Sequence, residues 1–103
     1  MLYLSGQIAL APQTGLMIQD SIEQETVQVM TNIKAILSAA GVDFNAIVKS
    51  SIFLSDMNLF GAVNKVYEQY FESDFPARET VQVAGLPRNA NVEISVIAFI
   101  NQH

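Results

Sequence analysis

The stretch Phe75-Pro76-Ala77-Arg78-Glu79-Thr80-Val81-Gln82-Val83, followed by Leu86-Pro87 and then Asn91-Val92-Glu93-Ile94, decides how the second half of this chain is read. Pro76 ends the preceding connection, and the β-branched residues on either side of Leu86-Pro87 predict two strands, Thr80 to Ala84 and Val92 to Ile100. The first strand has an arginine at its mouth and the second a carboxylate near its start. A guanidinium is a planar fork of donors that meets a carboxylate or phosphate bidentately and stays charged at any working pH. The chain has only two arginines, Arg78 and Arg88, against ten acidic residues. Arg78 therefore reads as an anion anchor. The competing reading is a structural salt bridge, with Glu93 or Asp74 as partner.

Working outward, Leu2 to Leu10 reads as a strand, Pro12-Gln13-Thr14-Gly15 as a turn, and Leu16 to Ile18 as a short returning strand. Asp20 or Ser21 can cap a helix, with Glu23 or Gln24 three residues on as the capping-box partner. Within it Ile22, Thr26, Val29, Ile33, Ile36, Leu37 and Ala40 recur at helical spacing, and Gly41 supplies a left-handed stop. Ile47 to Leu54 is a strand. Asp56 or Asn58 can cap a second helix whose apolar face is Phe60, Val63, Tyr67 and Tyr70 or Phe71. Asn64 falls on that face, where a buried amide must find partners at a cost of about 1–3 kcal/mol if it fails. It either ties two elements together or faces a polar cleft.

Two helices among several strands predict an α+β fold with both helices on one face of the sheet. Val92, Ile94, Val96, Ala98 and Ile100 form one face of the last strand, yet Ile97 and Phe99 stand on the other. Ile47 to Leu54 repeats the pattern, with Val48, Ile52 and Leu54 against Ile47 and Phe53. Strands apolar on both sides need cover on both sides, and two helices cover one. An oligomer is expected.

Composition narrows the function. At 103 residues the chain is the length of a single domain, 50% hydrophobic and 15% charged. The net charge is −5, and the five basic residues are scattered, so no basic stripe is offered to a nucleic acid. No apolar run approaches the ~20 residues that span a bilayer, and no signal-like segment is seen, so a cytoplasmic setting without membrane contact is expected. Cysteine is absent, which excludes disulfides and thiolate chemistry. The lone histidine, His103, ends the chain. Ser-His-Asp catalysis and a transition-metal site are not expected.

Pro-Ala-Arg, the Val-x-Val strand, Leu-Pro and Val-Glu-Ile together resemble the signature of the RidA (YjgF/YER057c/UK114) family. The resemblance runs through the chain: Leu4-Ser5-Gly6-Gln7-Ile8, Pro12-Gln13-Thr14-Gly15, Thr31-Asn32-Ile33-Lys34-Ala35-Ile36-Leu37, Ala39-Ala40-Gly41, and Val63-Asn64-Lys65-Val66-Tyr67 with Tyr70-Phe71 resemble its segments in order. It implies one RidA-like domain over residues 1–103. The implied fold is chorismate-mutase-like, with two helices on one face of a mixed sheet, in a homotrimer with sites between subunits. The implied activity is hydrolysis of reactive 2-imino and enamine acids, such as 2-iminobutanoate and 2-iminopropanoate, to 2-keto acids and ammonia.

In that resemblance Arg78 matches the arginine that grips the substrate carboxylate, and Glu93 the glutamate that positions or activates water. Ser5 and Gly6 match cleft-lining positions, for which strand-end packing is the competing account. Asn64 matches a helix residue near the site, and Thr80 stands where many relatives have cysteine. Imines are already electrophilic, so no metal or organic cofactor is implied. Glu79 departs from the small residue that more often follows the arginine: its charge either weakens anion binding at the rim or points to solvent. Relatives also carry a strand before the Ser-Gly-Gln segment, with a Gly-Pro-Tyr-type motif, and this sequence begins after that point. Competing functions are a non-catalytic carboxylate-binding regulator or a structural trimer, and less favoured, RNA cleavage or translation inhibition.

Overall fold

The computed structural model describes residues 1–72 and 74–100; His103 lies outside the described residues. The elements follow in the order β1 (Leu2–Gln7), α1 (Ile22–Ala39), β2 (Ile47–Leu54), α2 (Phe60–Glu68), β3 (Ala77–Gln82) and β4 (Val92–Ala98). They form one mixed sheet of order β1-β4-β2-β3, in which β2 and β3 run parallel and the other pairs antiparallel. A parallel pair needs a crossover, which α2 supplies between β2 and β3.

Helix α1 starts as its residues require. Ser21 is extended and its side chain accepts from the Gln24 backbone N–H at 3.0 Å. At the other end Gly41 has φ +78°, and the Val42 N–H reaches back to the Leu37 carbonyl at 3.0 Å, which closes the last turn. Ala40 is the exposed cap residue here and does not belong to the buried face. Val29, Met30, Ile33 and Leu37 pack with Ile52 and Leu54 of β2 and with Val92, Ile94, Val96 and Ala98 of β4, all nearly sealed from solvent. Burying each of the larger side chains contributes about 1.5–3 kcal/mol.

One buried group in this layer is a carboxyl. Glu25, 1% exposed, accepts from the Asn91 backbone N–H at 2.7 Å and from Asn91 Nδ2 at 2.9 Å. It ties the first turn of α1 to the entry of β4. Helical spacing alone gave no reason to place a glutamate inside.

Several boundaries differ from the sequence expectation. β1 stops at Gln7, and the strand expected over Leu16 to Ile18 is reduced to a single bridge between Leu10 and Met17. The carbonyls of Ile8 and Leu10 turn instead to Asn32 Nδ2 on α1, at 3.1 and 2.9 Å. β3 begins at Ala77, three residues before the expected Thr80, because its parallel register with β2 already starts at Lys49 opposite Ala77. A register shift between Ile47 and Lys49 turns Ile47 to the helix side and leaves Val48 43% exposed, so Val48 does not share a face with Ile52 and Leu54. Asp56 caps the short 3-10 turn Met57–Leu59 that leads into α2, accepting from the Asn58 N–H at 2.8 Å; Asn58 is not the cap.

The sheet's other face carries Tyr3, Phe53, Val81, Ile97 and Phe99. Tyr3 is 71% exposed and Phe99 56%. Among the described residues of one chain nothing covers it.

Candidate functional site

Strand alternation decides where the expected residues point. Arg78 sits opposite Ser50 and Thr80 opposite Ile52, so both lie on the helix side of edge strand β3. Glu93 sits opposite Phe53 on β4, on the open side. Arg78 and Glu93 are thus two strands apart and on opposite faces. A single chain does not bring them together, and neither Glu93 nor Asp74 forms a salt bridge with Arg78. Among the described residues the one ion pair is Lys49–Glu79, at 3.4 Å.

Around Arg78 the surroundings come from α2. Its guanidinium carbon lies 5.5 Å from the Phe60 ring centroid and 5.4 Å from that of Tyr67, and one of its nitrogens donates to Asn64 Oδ1. Asn64 Nδ2 donates in turn to Glu68 Oε1 at 2.8 Å. A carboxylate only accepts, so Glu68 fixes the amide with its oxygen toward Arg78. Asn64 therefore ties α2 to β3, the first of the two roles its sequence position offered. Beneath this layer the Tyr67 hydroxyl donates to the buried Ser50 Oγ at 2.9 Å. Burial pushes the Tyr67 hydroxyl above its ordinary pKa, and the Ser50 bond and the Arg78 charge pull it part of the way back. Tyr67, Glu68, Phe75, Pro76 and Arg78 line an open cavity of about 360 Å³. Arg78 is exposed at this cavity, and among the described residues the bond to Asn64 is its one hydrogen bond, which leaves further N–H groups to spare.

Thr80 is two residues along the same face. Its Oγ1 is buried and has no hydrogen-bond partner among the described residues. Glu79 alternates to the open face, where Lys49 and Ser51 Oγ hold it, the latter at 3.1 Å.

Around Glu93 the surroundings are β1. Leu4 pairs with Val96 and Gln7 with Ile94, so Ser5 and Gly6 together face the single residue Ser95 in a bulge. Gly6 lies against the Glu93 side chain. Ser5 is exposed, and its carbonyl accepts from Gln7 Nε2 at 3.1 Å. The six expected residues thus form two groups, Arg78, Asn64 and Thr80 on one face and Glu93, Gly6 and Ser5 on the other.

Sequence reasoning missed Phe60 and Tyr67 as the rings against the arginine, and Glu68 and Ser50 as the groups that hold Asn64 and Tyr67 in turn. A signal was present: an amide at Asn64 inside an aromatic stripe at helical spacing marks a face that leaves the core.

Over nearly its whole length the chain is similar to known proteins. The family model described as endoribonuclease L-PSP matches residues 1–100. The chain belongs to this family, the RidA (YjgF) family. A goat (Capra hircus) protein named 2-iminobutanoate/2-iminopropanoate deaminase is 48% identical over 97 residues, 94% of this chain and 71% of that protein. A crystal structure of a Rid-family protein from Yersinia pestis matches with TM-score 0.92 and 46% identity, over 95% of this chain and 79% of that one. The E. coli TdcF structure with bound serine matches with TM-score 0.90 and 38% identity, over 96% and 80%. Among the described residues no helix is long and apolar enough to cross a membrane.

Proposed function

We propose that residues 1–103 act as a single RidA-like domain that hydrolyses reactive 2-imino acids and their enamine tautomers to 2-keto acids and ammonia. The observation that carries this reading is Arg78, held by aromatic rings and one amide at the lining of a cavity, in a chain so similar to a named 2-iminobutanoate/2-iminopropanoate deaminase. The cavity suits a small carboxylic acid. Serine bound to the TdcF relative is a molecule of that size and kind.

The reaction asks for three things. Arg78 grips the substrate carboxylate through a bidentate pair. Glu93 takes a proton from water as its oxygen adds to the imine carbon and passes that proton to the nitrogen, giving the carbinolamine. Glu93 then carries the hydroxyl proton to the amino nitrogen as the C–N bond breaks, releasing ammonia and leaving the 2-keto acid. Thr80, with its unpaired hydroxyl on the Arg78 face, and Asn64 complete the binding group; Ser5 and Gly6 flank Glu93.

Because Arg78 and Glu93 stand on opposite faces, the reading requires Arg78 of one copy to meet Glu93 of another. A homotrimer with sites between subunits and the open sheet faces turned inward satisfies this, and it covers Tyr3, Phe53, Ile97 and Phe99. The chorismate-mutase-like arrangement and a cytoplasmic setting, where pyridoxal-phosphate enzymes release imino acids, belong to the same proposal. Scattered cations and a net charge of −5 favour a small-molecule substrate over RNA. Turnover of enzymatically generated 2-iminobutanoate by the purified chain tests the activity; ammonia release no faster than in buffer would sink it. Light scattering at micromolar concentration tests the trimer.

A further inference from the structure

We propose that Gly6 is the positioning residue for Glu93: the missing side chain at position 6 is the space in which the Glu93 carboxyl group is held. A Cβ built on Gly6 would stand 2.7 Å from Glu93 Cδ, 2.7 Å from Oε1 and 2.9 Å from Cγ. Real Cβ atoms do not come that close to another heavy atom. At Gly15, Gly41, Gly61 and Gly85 the same construction meets nothing within 4 Å. Gly6 is the one glycine whose bareness another side chain uses.

Backbone geometry does not explain the glycine. The positive-φ glycines are Gly15 and Gly41, so Gly6 adopts a conformation open to other residues. What requires glycine there is the carboxylate lying on it. The bulge of Ser5 and Gly6 against Ser95 brings this bare stretch of β1 beside Glu93 on β4. Bulges beside active sites re-aim side chains, and here the bulge forms the back wall for one.

The atoms a Cβ would strike are at the far end of a flexible side chain. An alanine at position 6 therefore displaces the Glu93 carboxyl group before it displaces the fold. A group that activates water loses its effect when moved by about an ångström, whereas the distant Arg78 keeps its geometry.

The functional consequence rests on the deaminase reading of Glu93; the steric coupling does not. Gly6→Ala and Gly6→Ala/Glu93→Ala are compared with the wild type and with Glu93→Ala, in turnover of 2-iminobutanoate and in thermal unfolding. Gly6→Ala is expected to lower turnover by at least about tenfold at nearly unchanged KM, and to shift the acid limb of the pH profile. In the Glu93→Ala background it should add no further loss of turnover, and the drop in Tm it causes in the wild type should vanish. Equal effects of Gly6→Ala in both backgrounds, on rate or on Tm, overturn the proposal, as does wild-type turnover in the single variant. If Gly6→Ala does not fold, folding of the double variant supports the coupling and its failure to fold refutes it. Should the wild type show no deaminase activity, the Tm comparison still decides whether Gly6 makes room for Glu93.

Discussion

The Arg78 and Glu93 regions are built in opposite ways. Arg78 is held by what surrounds it: two aromatic rings of α2, the Asn64 amide, and Glu68 behind that amide. Glu93 is held by what is missing, a side chain at Gly6 in a bulge of β1. The first is a helix-to-strand device on the covered face of the sheet, and the second a strand-to-strand device on the open face. An anchor must keep its orientation against solvent, so it is packed and hydrogen-bonded. Under the proposed reading Glu93 has to meet water and a neighbouring copy, and such a group needs room instead.

The largest effect is expected at the carboxylate. Glu93→Gln keeps the shape but loses the basic oxygen, and turnover should fall by about 10²–10⁴-fold. Calorimetry with 2-ketobutanoate should still show binding, because Arg78 is untouched. Lost binding would make Glu93 part of the anchor and erase the contrast between the two regions.

Arg78→Lys should come next. The charge stays, the planar fork and its stacking on Phe60 and Tyr67 go, and kcat/KM should fall on the order of 10–100-fold, mostly through KM. Mixing this variant with Glu93→Gln under conditions that exchange subunits sharpens the comparison. If each site joins Arg78 of one copy to Glu93 of the next, random trimers have about one intact site in four and recover that share of activity. No recovery, once exchange has been shown by mass spectrometry, means that both groups act from the same chain.

The two regions also differed in how far the sequence revealed them. Helix α1 was legible because Ser21, the apolar spacing and Gly41 agree with one another, and β2 because its β-branched run has no competing period. Arg78 stood out through the prolines and the rarity of arginine. That it faces away from Glu93 was not legible, because alternation along β3 gives two faces and only the pairing of Arg78 with Ser50 says which one the helices cover. The β1 bulge, the phase shift at Ile47, and the consecutive positive-φ residues Arg88 and Asn89 depend on partners far along the chain. Glu25 was missed for the same reason: its partner, Asn91, lies 66 residues away.

A smaller effect concerns the floor under Arg78. Tyr67→Phe removes the bond to Ser50 and leaves that buried hydroxyl without its donor, at about 1–2 kcal/mol of stability. The pH dependence gives a sign. Burial raises the Tyr67 pKa, so the folded chain holds this proton more tightly than the unfolded one. The stability it contributes is full below the ordinary value near 10 and declines as pH rises from there through the folded value. Denaturant unfolding at pH 8 and pH 11 should show a shallower loss in Tyr67→Phe, with a residual slope from Tyr70, whose pKa burial also raises. An unchanged slope would remove Tyr67 as its source.

The smallest effect is expected at Glu79, beside Arg78 in sequence but on the other side of the sheet. Its carboxylate is held by Lys49 at 3.4 Å and Ser51 at 3.1 Å, and both members of the ion pair are about half exposed. Such a pair contributes about 0–1 kcal/mol, and solvent screens its field. Glu79→Gln should therefore leave KM for 2-iminobutanoate within about twofold at ordinary salt. The useful measurement is KM across ionic strength for both proteins. If the variant binds several-fold more tightly at low salt and the gap closes as salt is added, the charge of Glu79 reaches the anchor through the sheet. The two faces would then be coupled electrostatically, although their side chains never touch.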